Sequence, residues 1–273
     1  MATGDSGERT APGRDLVPVD LGDLFRLYGA RVYALAYRMT GNRQDAEDIA
    51  QETFLQVHRG LEGFRGESDV YTWIYAIARN LCYAKYRRAA RTSFAGLETV
   101  LHQAAEVEAP SGLDAWEREH LAEQVRDGCL TGLLRCLSFG QRAAFVLHVL
   151  LRLPMSDVAS ILGTSEGASK VLVHRARRNL KQFLCSNCSA YDPDNPCRCE
   201  NLIGFSLRRE WIHVPVPGPG LDRRGLAEQA SGVRSLVALY SALPAPLAPD
   251  DLLGRIEALA HPGGTTRRIE SAV

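Results

Sequence analysis

Ser156-Asp-Val158-Ala159-Ser-Ile161-Leu162-Gly163-Thr164-Ser165-Glu166-Gly167-Ala-Ser169-Lys170-Val-Leu172-Val173-His174-Arg175-Ala176-Arg177-Arg178-Asn-Leu180-Lys181 is the stretch that decides the fold of this chain. Val158, Ala159, Ile161 and Leu162 mark a short helix with Ser156 as its expected cap, and Ser165 is placed to cap the next helix. Between them Gly163-Thr164 supplies a tight turn, and two helices so joined make a helix-turn-helix pattern. On the second helix Val173, Ala176 and Leu180 recur at spacings of three and four, so they share a core-facing side. Lys170, His174, Arg177 and Lys181 fall on the opposite side. From Ser165 to Leu184 the basic Lys170, Arg175, Arg177, Arg178 and Lys181 stand against Glu166 alone, a surplus hidden in the whole chain by its 32 basic and 32 acidic residues. Such a helix enters a major groove, with phosphate contacts setting register and a few side chains reading base edges. An ordinary amphipathic helix would also carry a charged exterior. The cap, the glycine turn and the basic surplus together favour DNA.

Working outward, every segment with a clear pattern is helical, which predicts an all-α chain of two small helical domains joined by a flexible linker. Residues 1–15 are read as a disordered tail and residues 16–91 as the first domain. There Leu24, Leu27, Tyr28, Val32, Leu35 and Ala36 define one helix, ended at Gly41-Asn42. A second helix, about Arg43 to Arg59, turns Ala46, Ile49, Ala50, Thr53 and Val57 inward and sets Asp45, Asp48 and Glu52 on a neighbouring stripe. Gly60 to Asp69 reads as a loop. A third helix starts near Val70 with Ile74, Ile77 and Leu81 in phase. It becomes basic at Arg79, Lys85, Arg87, Arg88 and Arg91, and it carries Tyr71, Trp73, Tyr75, Tyr83 and Tyr86. Aromatic faces interleaved with cations suit single-stranded nucleic acid, although Trp73 is expected in the core. Residues 92–112 read as a linker with little packing of its own, and residues 113–184 as the second domain, ending in the helix-turn-helix.

Residues 185–213 hold Cys185-Ser-Asn-Cys188 and Cys197-Arg-Cys199, separated by the turn-rich Asp192-Pro-Asp-Asn-Pro196. Four thiolates complete a tetrahedral zinc site, while two or three suit Cu(I). A zinc staple that only stiffens the chain, a redox dithiol and a regulatory metal site all fit this spacing. Asp192 and His213 are read as a turn residue and a solvated side chain rather than as extra ligands. Cys82, Cys129 and Cys136 lie alone in apolar helical surroundings and are expected to be small buried hydrophobes. Residues 214–273 open with Val214-Pro-Val-Pro-Gly-Pro-Gly220, an exposed spacer, and continue as a tail with short helices around 225–243 and 250–260.

Apolar content of 45% and charged content of 23% are those of a globular chain, and no apolar run approaches the ~18 residues of a membrane helix. Met1 to Asp15 has no apolar core of the kind a secretory leader needs, so the expectation is a cytoplasmic chain without membrane insertion. In that compartment thiols stay reduced and clustered cysteines favour metal. No nucleophile–base pair, phosphate loop or HExxH motif argues for an enzyme.

Asp45-Ala-Glu-Asp48-Ile-Ala-Gln-Glu52-Thr-Phe54, then Phe64-Arg-Gly66-Glu67, then Thr72-Trp73-Ile-Tyr75-Ala-Ile77-Ala-Arg79-Asn80 resembles region two of the extracytoplasmic-function sigma factors. Gly163-Thr-Ser165-Glu-Gly167-Ala-Ser-Lys170 with His174-Arg175-Ala176-Arg177 is similar to their region four. Ala76, Ser169 and Leu172 stand where that family usually has Arg, Val and Arg. The resemblance implies that Asp45, Asp48 and Glu52 dock on core RNA polymerase. It implies that Arg79, Asn80, Lys85, Arg87 and Arg88 meet the minus-ten promoter element, with residues 64–69 pocketing a flipped base. Ser165, Lys170, His174, Arg175 and Arg177 would face the minus-thirty-five element. Some relatives carry a cysteine-rich, metal-responsive C-terminal extension, which implies zinc, copper or cadmium at Cys185, Cys188, Cys197 and Cys199. Expected partners are core polymerase and promoter DNA, with room for an anti-sigma factor. A metal-responsive helix-turn-helix regulator acting without polymerase is the alternative.

Overall fold

Asp20, Asn42, Ser93, Asp114, Ser138 and Ser165 each begin a helix, and each side chain accepts a backbone N–H of the first turn. At Asp114 this is a full capping box with Glu117, both bonds 2.8 Å long. The computed structural model describes residues 20–66, 68–89, 92–214 and 235–260. The expected tail 1–15, Glu67, Arg91, most of the 214–220 spacer, the start of the 225–243 helix and the end from 261 lie outside the described residues.

Within them the chain is all-α. The first domain is α1 (Leu21–Thr40), α2 (Arg43–Gly60) and α3 (Val70–Arg88). α4 (Phe94–Ala105) follows, and the second domain is α5 (Ala115–Arg135), α6 (Phe139–Phe145), α7 (Met155–Leu162) and α8 (Glu166–Asn187). α6 runs on as one π-type turn over Val146–Leu150. Short α9 (Ile203–Arg208), α10 (Leu236–Ser241) and α11 (Leu252–Ala260) complete it. Gly41 ends α1 at φ +69° and Asn42 starts α2, so one dipeptide makes the corner expected of it. At the helix-turn-helix, Gly163 sits at φ +65°, a left-handed conformation that explains why glycine stands there.

Two expectations need correcting. Ser156 does not cap α7: Pro154 holds that position, and Ser156, inside the first turn, donates to the Asp157 carboxylate at 3.1 Å. The helix therefore begins where proline's fixed φ is tolerated. The linker is not loose either. Phe94, Leu97, Leu101 and Ala104 recur at helical spacing and pack as α4, with Phe94 and Phe183 ring centroids 5.7 Å apart. The chain beyond α4 is gripped by α9, where a Cβ at Gly204 would stand 2.2 Å from the Glu108 carbonyl oxygen. Only glycine allows that approach.

The two domains share one apolar core rather than standing apart. α3 packs on α7, and α1 on α5. Arg31 donates to the Leu151 carbonyl at 2.6 Å. Arg38, 4% exposed, donates to Asp127 and Thr131 of α5 and, at 2.9 Å, to the Pro244 carbonyl of the C-terminal segment. Arg142, also 4% exposed, ties the α5–α6 corner to the end of α1 through the Met39 carbonyl, and burial holds its pKa down at about 10. The C-terminal arm straddles both domains. Its Tyr240 hydroxyl donates to the Leu130 carbonyl at 3.0 Å, while Leu252 and Ile256 of α11 are fully buried where α11 packs on α1 and α2.

Candidate promoter-binding surfaces and the cysteine cluster

The exposed face of α8 is as the periodicity predicts. Val173, Ala176 and Leu180 are buried, while Lys170, His174, Arg175, Arg177, Arg178 and Lys181 face solvent beside the exposed cap Ser165. Ser169, polar at a fully buried position, shares a 2.8 Å hydrogen bond with the Thr164 hydroxyl. That bond removes the cost of burying an unpaired hydroxyl and locks the turn to the first coil of the helix. Leu172 is part-buried toward α6, in contact range of Gly140.

On α3 the predicted residues divide. Asn80, Arg87 and Arg88 are exposed. Arg79 instead donates from Nε and Nη2 to the Ile161 carbonyl, at 3.1 and 2.8 Å, near the negative end of the α7 dipole; burial lowers its pKa. Tyr71 donates to the Asp157 carboxylate, and this bond above all pushes its hydroxyl up to about 12. Tyr83 and Tyr86 face Phe139 of α6, with centroids 4.9 and 5.4 Å apart. The side of α3 expected to meet nucleic acid is thus partly covered by the second domain. Trp73 is part-buried and packs, tilted by 31°, against Phe64 with ring centroids 5.0 Å apart.

Lys85 instead reaches across to α2. Its Nζ bridges Asp45 at 2.6 Å and Asp48 at 3.3 Å, and the Asp45 bond chiefly raises its pKa. The structure therefore brings Asp45 and Asp48 together under one cation. Glu52, one turn on, accepts from Gln56 at 2.9 Å. Glu47, on another side of α2, was not singled out by sequence. It pairs with Arg255 of α11 at 2.9 Å, and the charge of Asp48 also acts on Arg255. No sequence rule links positions so far apart.

The cysteines divide differently from expectation. Cys188 and Cys197 pair through a parallel bridge, with Ser189 N–H on the Cys197 carbonyl and Cys197 N–H on that of Asn187, 3.1 and 3.2 Å. The Asp192–Pro196 turn doubles back as expected, and Asn195 Nδ2 reaches the carbonyls of Leu184, Cys185 and Cys188, each at 3.1 Å. It thereby satisfies the open end of α8. Cys197 and Cys199 pack on the small core of Leu121, Val125, Leu202 and Ile203. Cys185 faces outward toward Tyr191. Cys129, expected to be an isolated apolar residue, lies by the cluster. Burial raises its thiol well above the usual range, and the charges of Cys199, Cys188 and Cys197 add to that effect. Burial likewise pushes Cys199 up to about 12, while backbone N–H groups of Ala190 and Tyr191 partly offset the rise at Cys188. Among the described residues no three His, Cys, Asp or Glu stand close enough to hold a metal ion, and none of their helices is long and apolar enough to cross a membrane.

A helix-turn-helix with an exposed basic second helix, joined to a three-helix domain with an acidic stripe, defines a DNA-binding transcription protein. Residues 24–92 match Sigma-70 region 2 and residues 127–180 match Sigma-70, region 4. The chain is 30% identical over 164 residues to RNA polymerase sigma factor YlaC of Bacillus subtilis, covering 59% of this chain and 89% of that protein. It is also 30% identical over 167 residues to the ECF RNA polymerase sigma factor SigE of Mycolicibacterium smegmatis, 61% of this chain and 62% of that one. Among solved structures, a sigma factor RpoE bound to the anti-sigma factor NepR from Bartonella quintana is 25% identical, covering 59% of this chain and 94% of that chain, with a TM-score of 0.41. The chain belongs to the sigma-70 RNA polymerase sigma factors, in the extracytoplasmic-function subfamily.

Proposed function

We propose that this chain is an initiation subunit without catalysis of its own, which directs core RNA polymerase to promoters and answers to metal at its C-terminal cysteines. The outward-facing basic side of α8, Lys170 to Lys181, is the observation that carries the first half. On this reading the minus-thirty-five contacts are Ser165, Lys170, His174, Arg175 and Arg177, and the polymerase contacts are Asp45, Asp48 and Glu52. Run-off transcription with purified core polymerase tests it: promoter-specific transcripts are expected only when this chain is added. A helix-turn-helix regulator acting without polymerase would supply none.

The closed arrangement is read as a resting form. Elements centred roughly 25 base pairs apart lie about 85 Å apart along B-DNA, whereas a globule of this length is about 50 Å across. The domains must part before α3 and α8 reach both elements, and parting frees Arg79 and Tyr71 from α7. Cysteines adjoining α8 and α5 are well placed to bias that equilibrium, because metal binding deprotonates thiols and orders the segment that carries them.

The α8 contacts have a measurable signature. Arg177→Ala is expected to weaken binding by about 1–3 kcal/mol if it reads a base. If it meets only phosphate, the loss is uniform across sequences and the log K against log salt slope falls by about 0.9. Titrating duplexes with and without the element at several salt concentrations separates the two. An unchanged affinity would remove Arg177 from the interface.

A further inference from the structure

The C-terminal arm docks one short helix on each domain, α10 on the second and α11 on the first. Resting on the reading of the closed arrangement as a resting form, we propose that this arm is a clasp: its two helices and the stiff chain between them keep the domains from parting. α10 packs on the π-type turn and on α8. Its Leu236, Leu239 and Tyr240 are buried, and Tyr240 meets Phe145 edge-on at 5.1 Å besides donating to the Leu130 carbonyl. All of these partners belong to the second domain.

α11 is fitted to the first domain in apolar surface and in charge. Leu252 and Ile256, four residues apart and so on one side of the helix, are fully buried where α11 packs on α2 and α1. Arg255 pairs with Glu47 of α2 at 2.9 Å. Glu257 reaches the start of α1, where its carboxylate would stand 3.6 Å from a Cβ on Gly22 and its charge acts on Arg26. With six and nine residues, α10 and α11 are each too short to persist in water alone, so each holds its shape by being docked.

The connector between them makes the two dockings one device. Pro244-Ala-Pro246-Leu247-Ala-Pro249 has three prolines in six residues, and each fixes its φ, so the stretch has little slack. Its first carbonyl, that of Pro244, is held at the seam by Arg38, the same guanidinium that joins α1 to Asp127 and Thr131 of α5. Leu247 is then 88% exposed, so the chain crosses to α11 through solvent. Only the residues from 242 to 251 separate the two helices, and such a length spans at most about 35 Å when fully extended. The promoter elements lie about 85 Å apart. Subtracting about 30 Å for the width of domains this small still leaves more than the connector can reach. One end of the clasp must therefore let go before α3 and α8 meet both elements.

The test uses the full-length chain with a donor and an acceptor dye at Glu62 and Ser186, both exposed and one in each domain, and a sequence-specific protease site inserted after Leu247. Single-molecule energy transfer then counts the chains whose domains stand apart. Cutting at the inserted site removes no buried side chain, yet it turns a linked pair of dockings into two separate ones. The low-transfer fraction is expected to rise by about tenfold or more on cutting. An unchanged fraction in fully cut protein would overturn the clasp. Leu252→Ala and Leu239→Ala loosen the first-domain and second-domain ends in turn. A clasp open at either end is open, so each variant should raise the fraction, and the pair should exceed the larger single effect by less than about twofold. Effects that multiply, or no effect from either, would also sink the proposal; if Leu239→Ala fails to fold, the cut decides alone. Core polymerase and promoter DNA added to the uncut chain should produce the same low-transfer state. If they do so while the cut does nothing, the clasp falls and the resting form stands. If no low-transfer state ever appears, the resting form falls and the clasp with it.

Discussion

Arg38→Ala is expected to destabilise the isolated chain by about 3 kcal/mol and, at the same time, to raise its transcription with core polymerase. The two signs differ because Arg38 belongs to the closed arrangement. Its guanidinium leaves α1 of the first domain for Asp127 and Thr131 on α5 of the second and for Pro244 of the arm. At 4% exposure it has almost no water to fall back on, and its removal strands the Asp127 carboxylate, itself only 22% exposed. Breaking a buried pair from one side costs more than the pair contributes, since the remaining charge is left without a partner. If the promoter-bound form has the domains apart, none of this energy exists there, and 3 kcal/mol is roughly a 150-fold shift toward it. Thermal unfolding and run-off transcription measure the two effects, and small-angle scattering should show a larger radius of gyration. A general loss of folding would lower both stability and transcription. That pairing, or an unchanged melting temperature, would rule the closed resting form out. Asp127→Ala in a double-mutant cycle isolates the pair itself, because residues in direct contact are where additivity fails.

How far these features were legible in the sequence follows from the range of the interactions involved. Val173, Ala176 and Leu180 could be placed in the core because helical periodicity is a local property, and Asp45, Asp48 and Glu52 fell on one stripe for the same reason. Gly41-Asn42 announced its corner through conformational demands confined to two residues. α4 was also written in the chain, as Phe94, Leu97, Leu101 and Ala104, but its Ala- and Glu-containing composition hid the spacing. What sequence did not show depends on distant partners. Nothing local marks Arg38 or Arg142 for burial, because only the tertiary fold supplies the carbonyls and the carboxylate that let an arginine be buried. Lys85 sits in a basic run expected to meet DNA, and yet the packing of α3 on α2 brings it over Asp45 and Asp48. Tyr71 and Arg79 meet α7 through contacts more than eighty residues long in the chain. Cys129 looked solitary because its neighbours are sixty to seventy residues away. Ser169, a departure from the family pattern, became intelligible only through its bond to Thr164.

Replacing both Leu252 and Ile256 by Asp is expected to strengthen binding of the chain to core polymerase by about tenfold or more. α11 has nine residues, too few to hold a helix in water unaided, so it exists by virtue of what it buries. Those two side chains, both at 0% exposure, supply about 3–6 kcal/mol together, much of which is spent on ordering the arm. Two carboxylates at these positions convert that gain into a desolvation cost, and the helix has no reason to stay. Its departure takes Arg255 from Glu47 and removes a covering element from α2 beside Asp48, the side proposed to meet polymerase. The core of the first domain is expected to survive, since α1, α2 and α3 each pack on the other two in addition to the contacts of α1 and α2 with the arm. Far-UV circular dichroism should therefore change little, limited proteolysis should cut near residue 250, and a polymerase titration should read the gain. If proteolysis shows the arm released and polymerase affinity stays where it was, α11 does not guard α2. If affinity rises in this variant and Arg255→Ala alone reproduces part of the rise, the arm acts as a competitor for the acidic stripe through charge as well as bulk.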